Sequence, residues 1–591
     1  MGILDLQPIQ TLEIPDVGDI NQRGLTLIVG PNSSGKSQLL RDVYHSICGD
    51  RRNLVVASRL EILKPIYEDL IANLIGDNLI KDVEVDDNGQ RHFIPTTTYL
   101  GSGAGVNQIN VSDAKQWYSQ YDTHIKQRRQ NLFLNYFGRM LVSALFLDRR
   151  LTALQGVGII DFENNPPSHD LHVLWTNDAA RQRLDEEIKA SFGRSIWPDN
   201  SRGSNLSLKV SDRADRPTSE ERLSFSEMAK YRSIEEEGDG LKSYVATCIT
   251  MLLGRRPVTI IDEPEMCLHP PQAYNLGQFI GRYGTSRETT TLVATHSSHL
   301  LRGILSTTNE VRIVRMTRRG GQFHAHLLPA ADLAKAVTKP TLRAESVLDG
   351  IFSQGVVVVE AEGDRLVYSS VLETLADEFR LDVHFAPVGG TEGLSGTCGL
   401  YQVLKIPVAV VADLDALSSI DRLERILDAM TDAETSAAIL ESAVPILEAI
   451  QKLPPTISEN EVRNRIAEIG AGSMNWQIGD DAALTRKLRD LSRELDRMRR
   501  LKRGAMQELP PEISGKLSQL LEKLAAVGIF LVPVGELEDW LGDEPMKSSR
   551  SNNKWAWANE AVIAIQNKGA QLGDVWDFVR GVAKYLNSQL N

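Results

Sequence analysis

The junction at residues 25–47 constrains the fold of this chain more than any other stretch. Leu25-Thr-Leu-Ile-Val29 is an unbroken apolar run of the kind that fills a buried strand. It leads straight into Gly30-Pro-Asn32-Ser33-Ser34-Gly35-Lys36-Ser37, after which the spacing Leu39, Leu40, Val43, Ile47 marks a helix. Strand, GxxxxGK[ST] turn and helix in succession place the segment in an α/β sheet built to cradle a phosphate. The glycines let backbone N–H groups wrap the anion, and the helix N-terminus adds its partial positive charge. Gly30, Asn32, Ser33, Ser34, Gly35, Lys36 and Ser37 are therefore expected to bind ATP. Lys36 would reach the outer phosphates, and the Ser37 hydroxyl would ligate Mg²⁺.

Such a turn needs a second half, and Val258-Thr-Ile-Ile-Asp262-Glu263-Pro-Glu265 supplies it. Asp262, ending a buried strand, can hold the Mg²⁺ shell, and Glu263 can polarise the attacking water. Thr290-Thr-Leu-Val-Ala-Thr295-His296 reads as a further core strand whose terminal His296 could sense the γ-phosphate. Between the halves, 65–230 reads as mostly helical, with a polar loop over 197–219. A periodic helix then carries Leu241, Tyr244, Val245, Cys248, Ile249, Leu252 and Leu253 on one face and stops at Gly254.

A linker is expected over 327–340, and beyond it three strands end in carboxylates. Val356-Val-Val-Val is followed by Glu360-Ala-Glu362-Gly363-Asp364, Pro407-Val-Ala-Val-Val-Ala by Asp413-Leu-Asp415, and Gly528-Ile-Phe-Leu-Val-Pro by Val534-Gly535-Glu536-Leu537-Glu538-Asp539. Parallel strands gather their C-terminal ends on one edge. Acids crowded there repel one another unless hard cations intervene, so Mg²⁺ or Mn²⁺ is expected.

Two sets of motifs resemble known families. DEPEMCLHP at 262–270 and ATHSSHLL at 294–301 resemble the Walker B, D-loop and switch-histidine segments of ABC-type ATPases, in the branch of SMC, RecF and the overcoming-lysogenization-defect (OLD) proteins. In that superfamily two heads sandwich ATP, and a signature loop from one completes the other's site. The matching segment is Glu237-Gly238-Asp-Gly240-Leu-Lys-Ser243, which keeps Gly238 and Gly240 but lacks the usual leading serine. No Q-loop glutamine can be placed; the Phe146-Leu-Asp-Arg149-Arg150 strand end is a weak candidate for an arginine near the phosphates and reads more readily as a surface ion-pair group. The glutamate and DxD strand ends resemble a Toprim domain, with Ala361 where glycine is usual. ATPase followed by Toprim resembles an OLD-family nuclease.

The resemblance implies an ABC-type P-loop ATPase head (1–64 and 231–340) with a helical insertion at 65–230 that dimerises. A Rossmann-like Toprim domain (350–420 and 526–591) would follow, with its own helical insertion at 421–525. It further implies two cations, Mg²⁺ or Mn²⁺, held by Glu360, Asp364, Asp413 and Asp415 and by Glu536 and Glu538. Glu263, His296, Glu360 and Asp413 would be catalytic, and Lys554 would face the developing negative charge. An ATP-regulated DNA endonuclease or nickase of anti-phage defence is the implied function, self-associated as a homodimer or larger, with a partner defence protein as a further expectation. A nucleotide-sensing scaffold with a silent Toprim half and a RecF-like repair ATPase are the competing readings.

Charge bears on the DNA expectation. With 65 Lys+Arg against 78 Asp+Glu the chain carries −13, which excludes a histone-like coat but not a local basic face. One such face is 486–503, with nine Lys/Arg against three Asp/Glu along the seam Leu484, Leu488, Leu491, Leu495, Met498. Such a helix is either a solvated face or a phosphate contact beside the nuclease edge. Four cysteines without a CxxC pair, and an N-terminus without a leader, suit a cytoplasmic protein with no membrane span.

Overall fold

In the computed structural model the chain divides into two compact units, Met1–Lys339 and Pro340–Asn591. The described residues are 3–590 apart from 21–22, 78, 85–89, 96–107, 128, 151–153, 163–166, 168, 201–202, 213–229, 254–255, 332, 335–344, 454–456, 473–479, 496–505, 507–508 and 542–553.

The first unit is built on a six-stranded sheet of β1 (Gly24–Val29), β2 (Val142–Leu145), β3 (Val258–Asp262), β4 (Thr290–Ala294), β5 (Val311–Arg319) and β6 (Gln322–Leu328), in spatial order β6-β5-β1-β4-β3-β2. All neighbours are parallel except β5 and β6. The apolar runs anticipate this: β1, β3 and β4 are buried along their whole length, as strands covered on both faces must be. Helix α1 (Lys36–Ile47) follows the phosphate loop and buries Leu39, Leu40, Val43 and Ile47. The expected periodic helix is α2 (Asp239–Leu253); its expected stop, Gly254, lies outside the described residues.

The helical reading of 65–230 is corrected. That stretch contributes β2, the edge strand of the core sheet, and two antiparallel sheets besides its helices. One pairs Ile80–Glu84, Arg91–Pro95 and Ile109–Asn110; the other pairs Ile196–Asp199, Asn205–Val210, Arg232–Ser233 and Val157–Gly158. The expected loop over 197–219 is thus a hairpin through Val210, with 213–219 outside the described residues. Pro198 sits in a strand of only four residues, whereas Leu206, Leu208 and Val210 alternate and are buried. The expected linker overlaps β6, which runs to Leu328.

The second unit carries a four-stranded parallel sheet of β7 (Gly355–Val359), β8 (Val383–Pro387), β9 (Val408–Asp413) and β10 (Ile529–Val532), ordered β8-β7-β9-β10. Helix α3 (Glu362–Thr374) follows β7, and α4 (Lys554–Lys568) packs against it. Between β9 and β10 the described residues form helices, among them Ala433–Lys452 and Asp480–Leu495. Of the basic stretch, 496–503 lies outside the described residues; within the rest Leu491 is buried while Leu488 and Leu495 are exposed. No helix among the described residues is long and apolar enough to cross a membrane.

Candidate functional site

Parallel register brings the ends of β1, β3 and β4 to one edge: Ile28 pairs with Ala294, and Ala294 with Asp262. Gly30 leaves β1 at φ 136°, where a Cβ would lie 2.1 Å from the Met316 carbonyl oxygen, so only glycine lets the loop pass this close to β5. Asn32 and Ser33 are exposed on the loop, and Gly35 caps α1 in the left-handed conformation. Lys36 Nζ donates to the Gly30 and Pro31 carbonyls at 2.8 and 2.9 Å. Burial lowers its pKa, against the opposing charges of Glu263, Glu265 and Asp262. Ser37 Oγ donates to Asp262 Oδ1 at 2.8 Å, so the two expected Mg²⁺ ligands already touch. Ser34 Oγ is buried without a hydrogen-bond partner among the described residues. An orphaned hydroxyl, a lysine folded over the loop and a Ser–Asp pair fit a Mg²⁺–nucleotide.

Glu263 has a positive φ of 49°, rare outside glycine. Its N–H donates to the Ala294 carbonyl at 2.8 Å, and its own carbonyl accepts from Arg150 Nη1 at 2.7 Å. His296 Nδ1 lies 3.2 Å from Glu263 Oε1, a bond that lowers the glutamate's pKa and raises the histidine's. Glu265 Oε1 accepts from Thr295 Oγ1 at 2.7 Å and from the His296 amide at 2.9 Å, fixing the turn that carries His296.

Arg150 corrects the expectation of a surface ion-pair segment. It is 0% exposed, burial lowers its pKa against the charges of Glu265, Asp262 and Glu263, and its Nε and Nη2 have no hydrogen-bond partner among the described residues. The cause is β2: as the parallel neighbour of β3, its end arrives at the same edge. Gly238 and Gly240 open α2, and a Cβ on Gly240 would lie 2.4 Å from the Cys267 carbonyl oxygen. The preceding Glu237 accepts from Arg194 Nη1 and Nη2 at 2.7 and 2.9 Å. Arg232 adds a longer contact to Glu237, and both arginines share Asp212. Neither Arg194 nor Glu237's ion pair had a sequence signal, because each follows from the unanticipated hairpin.

In the second unit Val359 pairs with Val411, so the acids after β7 and β9 emerge side by side. One carboxylate oxygen each from Glu360, Asp413 and Asp415 lie within 4.8 Å of one another. The Asp413 amide donates to Glu360 Oε1 at 3.1 Å. Burial, then the charges of Glu360, Asp364, Asp415 and Glu536, push Asp413 up to about 9. Three converging carboxylates, one of them held up by burial and then by its neighbours' charges, form the oxygen donor set a hard cation takes. The remaining predicted acids stand differently. Asp364 Oδ2 accepts from the Ala361 amide at 2.8 Å, closing the first turn of α3, and burial pushes Asp364 up to about 6. Lys554 Nζ lies 2.9 Å from Glu538 Oε1 and 3.6 Å from Glu536 Oε2. Burial would lower the Lys554 pKa, but its bond to Glu538 and the charges of Glu538, Glu536 and Asp413 hold it raised. Glu538 is buried, and its Oε2 has no hydrogen-bond partner among the described residues.

Residues 146–302 match the family model described as AAA domain, putative AbiEii toxin, Type IV TA system, and residues 351–415 match that of the overcoming lysogenization defect protein-like TOPRIM domain. No curated protein matches the sequence significantly. Among solved structures, an SMC head bound to the C-winged helix domain of ScpA is 14% identical, with 55% of this chain and 99% of that one covered at a TM-score of 0.30. The SMC head domain from Thermotoga maritima is 11% identical over 54% and 99%, at 0.26. The C-terminal region of the Xanthomonas campestris pv. campestris OLD protein is 16% identical over 40% and 96%, at 0.18. Overlaps this loose say nothing of ligand or partner.

Proposed function

We propose that this chain, in which residues 146–302 match an AAA-domain model and residues 351–415 an OLD-like TOPRIM model, is an OLD-family protein with an ABC-type ATPase unit, acting as an ATP-regulated, divalent-metal-dependent DNA endonuclease or nickase. The reading extends to defence against phage or other foreign DNA, to self-association as a homodimer or larger, and to a partner defence protein. The observation that carries it is the meeting of Glu360, Asp413 and Asp415 oxygens within 4.8 Å, in the same unit as a lysine paired to two further acids.

In the ATPase unit, Lys36, Ser34 and the amides of Gly30, Asn32, Ser33 and Gly35 bind the phosphates, while Ser37 and Asp262 would hold Mg²⁺. Glu263 takes the proton of the attacking water, held in line by Arg150 through its backbone and by His296 through its carboxylate. Gly238 and Gly240 would complete the site of a second copy, with the 65–230 segment contributing to self-association.

In the Toprim unit, Glu360, Asp413 and Asp415 would hold one Mg²⁺ or Mn²⁺, and Glu536 and Glu538, with Asp364 behind them, a second. A cation pair supplies water activation and stabilisation of the leaving oxygen. Lys554, paired to Glu538 before metal binds, would face the negative charge that develops on the scissile phosphate once a cation takes that carboxylate.

The test is supercoiled plasmid incubated with Mg²⁺ or Mn²⁺, with and without ATP, for wild type, Lys36→Ala, Glu263→Gln and Asp413→Ala. The expected outcome is metal-dependent nicking that Asp413→Ala abolishes and that Lys36→Ala and Glu263→Gln alter only when ATP is present. No nicking under any condition refutes the nuclease reading. It would favour a nucleotide-sensing scaffold, the reading that Ala361 in place of glycine and the signature loop without its leading serine favour.

A further inference from the structure

Within the ATPase unit, a cleft of about 990 Å³ opens at the C-terminal end of α1, away from its phosphate loop. Arg51, Arg52, Leu54, Lys64, Ile125 and Arg129 line it, on the segment after α1, the strand Arg59–Ile62 and the helix Tyr121–Lys126. Three carboxylates also line it, and each has a partner. Asp50 pairs with His45 at 2.7 Å, Asp122 with Lys64 at 2.6 Å and Glu61 with Arg59 at 2.9 Å. Arg51, Arg52 and Arg129 have no ion-pair partner among the described residues. In a chain of net charge −13 the cleft lining carries Arg51, Arg52, Lys64 and Arg129 against Asp50, Glu61 and Asp122, a positive balance in which the three arginines are in no described ion pair.

We propose that this cleft binds the phosphodiester backbone of a nucleic acid. Guanidinium forks match phosphate oxygens in bidentate geometry, and three around one cleft can engage successive phosphates. The segment carrying two of them is fixed in advance: Asp42 Oδ2, on α1, accepts the amides of Val55, Val56 and Ala57 at 3.0, 2.8 and 3.1 Å. The lining favours backbone over bases. Tyr121 is 3% exposed with Lys64 Nζ 5.4 Å from its ring centre, so it offers no face for a base to stack on. Leu54 and Ile125, 36% and 50% exposed, are left as apolar contacts for sugars. Binding is accordingly indifferent to sequence. A second copy docking symmetrically here would set the same arginines against each other, which disfavours self-association through this face. The inference goes beyond the nuclease reading and does not require it.

The test is fluorescence anisotropy of a labelled short duplex of random sequence with the full-length protein, in chelator so that nothing is cut, across a salt series. The triple variant Arg51→Ala/Arg52→Ala/Arg129→Ala is expected to bind about ten-fold or more weaker. Its log–log salt slope should fall by about two to three, at roughly 0.9 for each phosphate no longer neutralised. Its ATPase rate without nucleic acid should match wild type, which reports that it folds. Should it not fold, Arg51→Lys/Arg52→Lys/Arg129→Lys keeps the charge and is expected to keep the slope while weakening affinity. An unchanged slope in the folded alanine variant overturns the proposal. So does displacement of the duplex by polyglutamate of equal charge, or by a mononucleotide, as effectively as by unlabelled duplex. Binding through these arginines by a protein that nicks no plasmid removes the nuclease reading alone. Nicking by a protein whose binding ignores them removes this cleft alone.

Discussion

Replacing Asp413 with asparagine should stabilise the metal-free protein and at the same time remove the stronger part of its response to metal. In the fold Asp413 titrates at about 9, because burial and four neighbouring acids disfavour its charge. In the unfolded chain an aspartate titrates near 3.9. The raised value means that the fold prefers the neutral acid. Its contribution to stability is complete below about pH 4 and is lost progressively as pH rises from there through about 9. At pH 7 the loss is about 1.36 × 3.1, roughly 4 kcal/mol, as an upper bound, and local relaxation brings it to the order of 2–4 kcal/mol. Asparagine has nearly the same shape and no charge, and the Asp413 backbone N–H that meets Glu360 is retained. Denaturant unfolding followed by tryptophan fluorescence suits the unit, since Trp540, Trp557 and Trp576 lie in its core. In chelator at pH 7, Asp413→Asn should gain about 2–4 kcal/mol over wild type, and near pH 4 the gain should vanish. Millimolar Mn²⁺ should stabilise wild type clearly more than the variant, which keeps only the weaker position at Glu536 and Glu538. Equal midpoints in chelator at pH 7, or a gain that persists at pH 4, would refute the claim that the three acids are held apart from a charge they need.

Three further outcomes follow from the ATPase unit. Arg150→Met removes the donor to the Glu263 carbonyl. With a charged hydrogen bond worth about 1.5–3 kcal/mol, kcat for ATP hydrolysis should fall about 10- to 100-fold at nearly constant KM, with partial recovery in Arg150→Lys; steady-state kinetics check this, and a change confined to KM would contradict it. The Glu263–His296 bond lowers one pKa and raises the other, so the pair is intact between them. It is lost as pH falls through the depressed Glu263 value, or rises through the elevated His296 value, and His296→Gln should move the acidic limb of the ATPase pH profile upward; an unmoved limb argues that the bond is idle. Arg194→Ala frees Glu237 just before Gly238. ATP-dependent self-association, followed by sedimentation, should weaken about ten-fold, on the order of a 1.4 kcal/mol bidentate contact, while a labelled nucleotide still binds; loss of nucleotide binding instead would point to misfolding of the hairpin.

The phosphate loop was legible because its chemistry demands contiguous residues: a buried strand, two glycines in special conformations and a helix start cannot be separated along a chain. The strand-end acids were legible for a related reason, since a parallel sheet places every C-terminal end on one edge whatever lies between. Arg150 was not. Its partner is Glu263, 113 residues away, and the bond exists only because Val142–Leu145 lies beside Val258–Asp262. That strand has four residues, and within 65–230 the longer periodicities of helices such as Asp178–Phe192 masked strands of two to six residues. The hairpin that delivers Arg194 to Glu237 was hidden in the same way, with Pro198 counted as a breaker although it sits in a short strand.

The acid set shows a second limit, one of arrangement rather than of position along the chain. A pattern of strand-end carboxylates assigns six residues equally, whereas the folded geometry divides them. Asp364 gives one oxygen to the amide of Ala361, and Glu538 gives one to Lys554. Glu360, Asp413 and Asp415 instead bring one oxygen each within 4.8 Å of the others. A first cation at those three meets oxygens that have already converged, and its charge relieves the repulsion that raises Asp413. A second at Glu536 and Glu538 must displace the Lys554 ammonium, which stands 2.9 Å from Glu538 and 3.6 Å from Glu536. Occupancy of the two positions should therefore separate in affinity, the second appearing in calorimetry as a weaker event that Lys554→Ala strengthens. A single class of sites, or a second event untouched by Lys554→Ala, would show that the lysine does not compete with metal.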